Sequence, residues 1–344
     1  MSISTHLLLL LSLQAAASLA DGILGFNYGS HWSNYTAKTA SDFQRQFERA
    51  RAVRGSPSHA RLFTTVQHET ADDVIAALQP AIDTQTRLLL GLWPYQGGIE
   101  HELIALNRAL DLYGHALVDL LDGISVGNED LHRAANGCDP DCADAPTVKR
   151  WIDTVRANVS SGPFAAAMAD KKIGHVDTVR SWAAGGPGTA ELIASCDFVG
   201  VTIYPSLGGV SVQSSAQSVL SLLADARSVA GAKPVFVAET GWPWAGAAVA
   251  QAQAGPQNMK QYWDVVACKL LVGYDAWWNQ LEDDSHDGYQ WGVLDSATGQ
   301  PRFDVACAGD AQRTSSSALA VATSSPGSSW GNEAVSGYCS CEPR

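Results

Sequence analysis

Short apolar runs recur along the chain, each bounded by turn residues and followed by a stretch with helical spacing. Residues 23–28, 60–64, 87–93, 123–128, 172–178, 198–204, 234–239 and 274–279 have the length and apolar content of buried strands. Between them, residues 40–54, 71–82, 101–121, 147–159, 211–230 and 258–271 place apolar side chains every three or four positions, the period of an amphipathic helix. Strands separated by helices pair in parallel, with both sheet faces covered. Eight such units in about 260 residues predict an α/β fold, a single (β/α)8 TIM barrel, over an open doubly wound sheet. No Gly-x-Gly-x-x-Gly follows the first strand and no phosphate loop occurs, so a nucleotide-binding sheet loses its main support.

The pattern stops at both ends. Residues 1–20 contain no Lys, Arg, Asp or Glu, and an apolar run at 7–13 leads to Ser18-Leu19-Ala20. This predicts a secretory signal peptide cleaved after Ala20; the run is too short to span a bilayer. The barrel domain is expected over 21–310. Residues 311–344 follow as a flexible tail, since 314–329 are mostly Ser, Thr and Ala with little to bury. No apolar C-terminal segment signals a lipid anchor.

Composition narrows the class. Apolar residues make up 46% of 344, enough for a large core, and the formal net charge of -13 argues against nucleic acid and anionic membranes as partners. Seven cysteines in an exported chain leave at least one thiol unpaired. Cys138 with Cys142, and Cys268 with Cys307, are candidate pairs, and Cys196 is expected as a buried thiol. Sequons at Asn34 and Asn158 fit a secreted surface.

In such a barrel, residues at the C-terminal ends of strands face one common site. The fourth run ends Gly127-Asn128-Glu129-Asp130 and the seventh ends Ala238-Glu239-Thr240-Gly241-Trp242. Glu129 and Glu239 then meet across the mouth. Two facing carboxyls suit glycoside cleavage: one protonated to donate to the leaving oxygen, the other ionised to attack or stabilise the anomeric carbon. A single Glu after a strand is more often a charge favoured by a helix N-terminus, so the pair carries the reading. Trp32, Trp93, Tyr95, Tyr204, Trp242, Trp244, Trp277, Trp278 and Trp291 fall on or just past strand ends, where rings can stack on sugar faces. For any one of these tryptophans, core packing is an equal alternative. Arg61 lies inside the second strand, where an unpaired guanidinium is costly, and is expected to pair with a catalytic carboxylate. Tyr204 is either a buried ring or a hydroxyl partner for Glu239. His-Glu-x-x-His and Gly-x-Ser-x-Gly are absent and the histidines lack metal-ligand spacing, so no metal and no cofactor is expected.

Five segments together resemble glycoside hydrolase family 17: GFNYG at 25–29, RLFTT at 61–65, VGNE at 126–129, YPS at 204–206 and ETGWP at 239–243. The likeness is strongest to its fungal secreted or wall-associated glucan 1,3-β-glucosidases. It implies a barrel, retention of anomeric configuration and β-1,3-glucan as substrate, with Glu129 as acid/base and Glu239 as nucleophile. It also implies that Asn128, Tyr28, Tyr204 and Trp242 shape the central subsites; by their own positions in and beyond the strands, Arg61, Trp278 and Trp93 are expected to add to the substrate surface. After the last strand the family shows Phe-Glu-Ala-Phe-Asp-Glu, whereas this chain has Trp277-Trp278-Asn279-Gln280-Leu281-Glu282-Asp283-Asp284; Glu282 is the candidate for the supporting glutamate. A β-1,3-glucan transglycosylase, a barrel glycosidase of other linkage and an inactive wall-glucan-binding protein are the rivals. Two intact glutamates weigh against the last. A monomer is expected, secreted or held in the cell wall.

Overall fold

A computed structural model describes residues 22–54, 58–94, 98–137 and 143–307. The expected signal peptide, the tail, Tyr95 and the Cys138–Cys142 pair lie outside the described residues. Eight strands close in sequence order into a barrel. They are β1 (Leu24–Tyr28), β2 (His59–Leu62), β3 (Arg87–Leu92), β4 (Leu121–Asn128), β5 (Lys172–Thr178), β6 (Val199–Ile203), β7 (Val235–Thr240) and β8 (Asp275–Trp278). Every neighbouring pair is parallel, including β8 with β1. The α/β barrel expectation holds.

Alternation along the strands builds two cores. Leu88, Leu90 and Leu92 face the helices, while Leu89 joins Val176, Phe198, Phe236, Ala238 and Trp277 inside the barrel. Phe198 and Phe236 stack there with centroids 4.3 Å apart. Both faces of each strand are dry, which is why the strands read as near-continuous apolar runs.

Helices cover the outside: α1 (Ala40–Arg54), α2 (Leu78–Thr84), α3 (Glu100–Tyr113), α4 (His115–Val118), α5 (Asp130–Ala135), α6 (Ala145–Ser161), α7 (Ala165–Met168), α8 (Val179–Ala184), α9 (Thr189–Ser195), α10 (Ser215–Ala230) and α11 (Pro256–Tyr262). A π-helical segment, Trp263–Leu270, continues α11. The expected helix at 71–82 begins only at Leu78, because Pro80 is tolerated only in a first turn. The expected helix at 101–121 divides at Gly114, whose φ of 53° and ψ of -134° no helix contains. Helix α6 starts on Asp144, which accepts from the Thr147 amide, and buries Val148, Ile152, Val155 and Val159 along one face. Cys268 and Cys307 are joined and Cys196 is a buried free thiol, as the sequence predicts. Among the described residues no helix is long and apolar enough to cross a membrane.

Candidate active site

The two strands that carry the glutamates both break their alternation just before the site. On β7, Phe236 and Ala238 point inward, so strict alternation would turn Glu239 out toward the helices. The register slips between Val237 and Thr240 instead. Thr240 then faces outward, its hydroxyl 2.8 Å from the Ile203 carbonyl and 2.8 Å from Tyr262 Oη, and Glu239 turns into the mouth. On β4 the register slips between Ser125 and Asn128, with Gly127 at φ 76°. A Cβ on Gly127 would lie 2.2 Å from Asp130 Oδ2 and 3.1 Å from the His175 ring, so glycine is required twice over.

Two side chains, Arg61 and Tyr204, fix Glu239 and tie it to Asn128. Arg61 donates from Nη1 to Glu239 Oε1 at 2.8 Å and from Nη2 to Asn128 Oδ1 at 2.7 Å. Tyr204 Oη donates to Glu239 Oε2 at 2.9 Å. Arg61 is 1% exposed, and the planar fork lets it hold two partners from different strands at once. Burial, then the charge of Glu239, pushes the Tyr204 hydroxyl well above an ordinary phenol, so it stays a donor. Trp291 meets the Tyr204 ring edge-on at 5.2 Å.

Glu129 sits in the left-handed region, φ 55° and ψ 29°, as the cap residue before α5. Its amide donates to the Val176 carbonyl at 2.8 Å, and its Oε1 accepts from Thr202 Oγ1 at 2.7 Å. Burial, then the charge of Glu239, raises its pKa to about 7; the Asp177 charge adds to this, while Thr202 and Arg133 oppose it. Thr202 and Tyr204 stand two positions apart on one strand face, a span of about 7 Å. One strand end thus holds the two carboxyls side by side.

Asn128 lies between them. Its side chain accepts from Arg61, and its carbonyl accepts from Arg133. Trp93 is half-buried beside the mouth, with the Arg133 guanidinium 4.8 Å over its ring and Phe63 at 6.0 Å.

Four expectations are corrected. Tyr28 is 1% exposed and packs edge-on against Phe47 of α1, 5.1 Å away, in the helix layer. Trp242 and Trp278 are both 0% exposed and pack on Tyr262 at 5.4 and 5.6 Å. A ring with no accessible face cannot stack on a sugar. Glu282 points away from the mouth to α1, with Arg49 Nη1 at 2.5 Å and Gln46 Nε2 at 3.4 Å. Counting two positions on from Trp277, which lies inside the barrel, the residue on the mouth side of β8's end is Asn279, with its Oδ1 buried and unpartnered. Alternation from the inward-facing Trp277 would have found it.

Sequence reasoning also missed Thr202 and the buried group behind Glu129, formed by Asp130, Arg133, His175 and Asp177. Thr202 carries no motif, and its role appears only once β6 lies beside β4's neighbour in the barrel. Among the described residues no group of three or more His, Cys, Asp or Glu could hold a metal ion.

A closed parallel barrel with two coupled glutamates at the C-terminal ends of β4 and β7 has the architecture of a barrel glycosidase. Residues 25–292 match the model of the BtgE/BtgC glycoside hydrolase domain, and the chain belongs to that family. It is 37% identical over 335 residues to a protein of Aspergillus terreus named probable glucan endo-1,3-beta-glucosidase eglC, covering 92% of this chain and 66% of that one. A protein of the same name from Aspergillus niger is 35% identical over 293 residues, covering 82% of this chain and 63% of its own length. The chain thus spans just under two thirds of these relatives. Among solved structures, a glycoside hydrolase family 17 β-1,3-glucanosyltransferase from Rhizomucor miehei superposes with a TM-score of 0.65 at 23% identity, over 83% of this chain and 98% of the other. An active-site mutant of that transferase, in complex with laminaritriose, gives a TM-score of 0.64. At this identity the two structures speak for the fold. The family read from the sequence motifs is borne out.

Proposed function

We propose that this chain is a retaining glycoside hydrolase that cleaves β-1,3-glucan by double displacement. The observation that carries the reading is the placement of two glutamates at the ends of β4 and β7, Glu129 held by Thr202 and Glu239 gripped by Arg61 and Tyr204; burial and the charge of Glu239 raise the Glu129 pKa to about 7. Glu129 gives its proton to the glycosidic oxygen as Glu239 attacks the anomeric carbon; the aglycone leaves as an alcohol and a glycosyl ester forms on Glu239. Glu129, now ionised, takes a proton from water, whose oxygen displaces Glu239 with a second inversion. This chemistry needs the carboxyl groups about 5–5.5 Å apart. The names of the relatives from Aspergillus supply the linkage.

The solved transferase favours one second reading, in which a sugar hydroxyl replaces water in the second step. We further propose a secreted monomer whose barrel, 21–310, is released by cleavage after Ala20 and followed by the Ser/Thr-rich tail. The test is a time course on linear β-1,3-glucan with wild type and Glu239→Gln. Hydrolysis predicts shorter products that first appear as the β anomer and vanish in the variant. Products longer than the substrate indicate transfer, and an active Glu239→Gln protein rules out the mechanism.

A further inference from the structure

Beneath the turn that carries Glu129 lies a buried cluster of charges that the reaction above does not use. His175, on β5, has no accessible surface. Its Nδ1 lies 2.7 Å from the Val126 carbonyl of β4, and its Nε2 lies 3.1 Å from Asp177 Oδ2. A carbonyl oxygen can only accept. Asp177 Oδ2 also accepts from the Leu131 amide at 2.8 Å, and Oδ1 accepts from the amides of Thr178 at 2.8 Å and His132 at 3.2 Å. Apart from His175, three backbone amides donate to Asp177 and use both its oxygens, the environment of an acceptor carboxylate. Both nitrogens of His175 therefore donate, and only an imidazolium has two N–H groups.

The surroundings agree. Asp130, from α5, brings Oδ2 within 3.9 Å of His175 Nδ1, and Arg133 stands 3.9 Å from Asp130 Oδ1. Trp182 of α8 meets the imidazole edge-on at 5.4 Å, and the Cys196 thiol bonds the His175 backbone. Burial acts to lower the His175 pKa, yet the hydrogen bond and charge of Asp177, the charge of Asp130 and the Val126 carbonyl together raise it.

The position of this pair gives it a task. Val126 precedes the Gly127 turn on β4. Asp177 binds the amides of Leu131 and His132, the first turn of α5. Glu129 lies between those two anchors.

We propose that His175 is a positioning residue held as an imidazolium, clamping both sides of the Glu129 turn by joining Val126 to the Asp177 carboxylate. The protonation state stands apart from the proposed reaction; the kinetic consequence rests on it.

Two measurements test this. Nitrogen-15 NMR of the wild-type chain labelled at histidine, with His175 assigned from the spectrum of His175→Gln, should show two protonated ring nitrogens across about pH 5–8. A neutral single tautomer at pH 7 overturns the proposal; should His175→Gln fail to fold, sequential backbone-to-ring assignment of the wild-type chain identifies the same resonances. Asp177→Asn should lower kcat by about a hundredfold with KM unchanged, because the acid/base group loses its aim. Removing a negative charge that raises Glu129 should also move the alkaline limb of the rate profile to lower pH. A variant with a lower Tm but wild-type kcat and an unmoved limb would show a merely structural role. Failure of the wild-type chain to cleave any glucan would sink the proposed function and leave the NMR result standing.

Discussion

Tyr204 donates its hydroxyl to Glu239 Oε2 at 2.9 Å, from a strand end whose Thr202 donates to Glu129 two positions earlier. Donors two positions apart at one strand end thus hold both carboxyls. A hydrogen bond to a charged group contributes about 1.5–3 kcal/mol. Tyr204→Phe should lower kcat by about 10- to 100-fold while the ring keeps its place on Trp291. Steady-state kinetics on laminari-oligosaccharides check this; an unchanged kcat would remove the hydroxyl from the reaction.

The same crowding that equips Glu129 as an acid should weaken the fold. Its pKa rises from 4.5 as a free group to about 7 in place. A carboxyl whose folded pKa is raised contributes stability fully present below its unfolded value, which is lost as pH climbs through the folded one. Between about pH 4.5 and 7 the wild type therefore gives up stability that Glu129→Gln keeps. The variant should melt higher than wild type at pH 8 and much less so at pH 4.5. Activity of the wild type should fall as pH passes 7, because the proton donor is then lost. Thermal melts at both pH values and a pH–rate profile read these two effects separately.

Arg61 connects β2 to the ends of β4 and β7 through Asn128 and Glu239. Arg61→Lys keeps the charge without the fork, so it can serve one partner only. Loss of an aligned donor at a reacting group costs about 10²–10³ in kcat. Arg61→Ala should reach that loss and Arg61→Lys should recover little of it. A lysine variant at wild-type rate would show that charge alone suffices.

Much of this was legible in the chain. Apolar runs at a fixed spacing gave the barrel, because every strand is buried on both faces. Glu129 and Glu239 were singled out because both fall at C-terminal strand ends, and Arg61 because an unpaired guanidinium is costly inside a strand, whereas Asn128 and Tyr204 came as subsite residues from the family resemblance. The tryptophans misled, since large rings are needed equally by a sugar platform and by the core: Trp242 and Trp278 are buried in the helix layer and Trp277 inside the barrel, all at 0% exposure. Glu282 misled because a carboxylate after a strand was read by its sequence position. Its true partner, Arg49, lies 233 residues earlier, and no local pattern announces that pairing. The slips on β4 and β7 were equally silent, although Gly127 is their one visible trace.

The Cys268–Cys307 bond ties the π-helical segment to the chain after the last strand, across a sequence separation of 39. Closing a loop of that length removes about 4 kcal/mol of freedom from the unfolded chain. Replacing both cysteines with alanine should lower Tm by several degrees and leave kcat at saturating glucan unchanged, since Cys268 packs in the helix layer. Loss of kcat without loss of Tm would contradict this separation.

Glu282 and Asn279 offer a paired test of which residue of the last loop meets substrate. Glu282 is 1% exposed and bound to Arg49 on α1, so Glu282→Gln weakens a buried ion pair and should cost about 3 kcal/mol of stability. Its KM should stay at the wild-type value. Asn279 is 8% exposed at the end of β8, with one amide oxygen buried and unpartnered, so Asn279→Ala removes a polar group from the rim of the mouth. It should raise KM severalfold with little change in Tm. If Glu282→Gln alone raises KM, the loop meets the sugar differently, and the supporting glutamate expected from the sequence would have to be restored to the site.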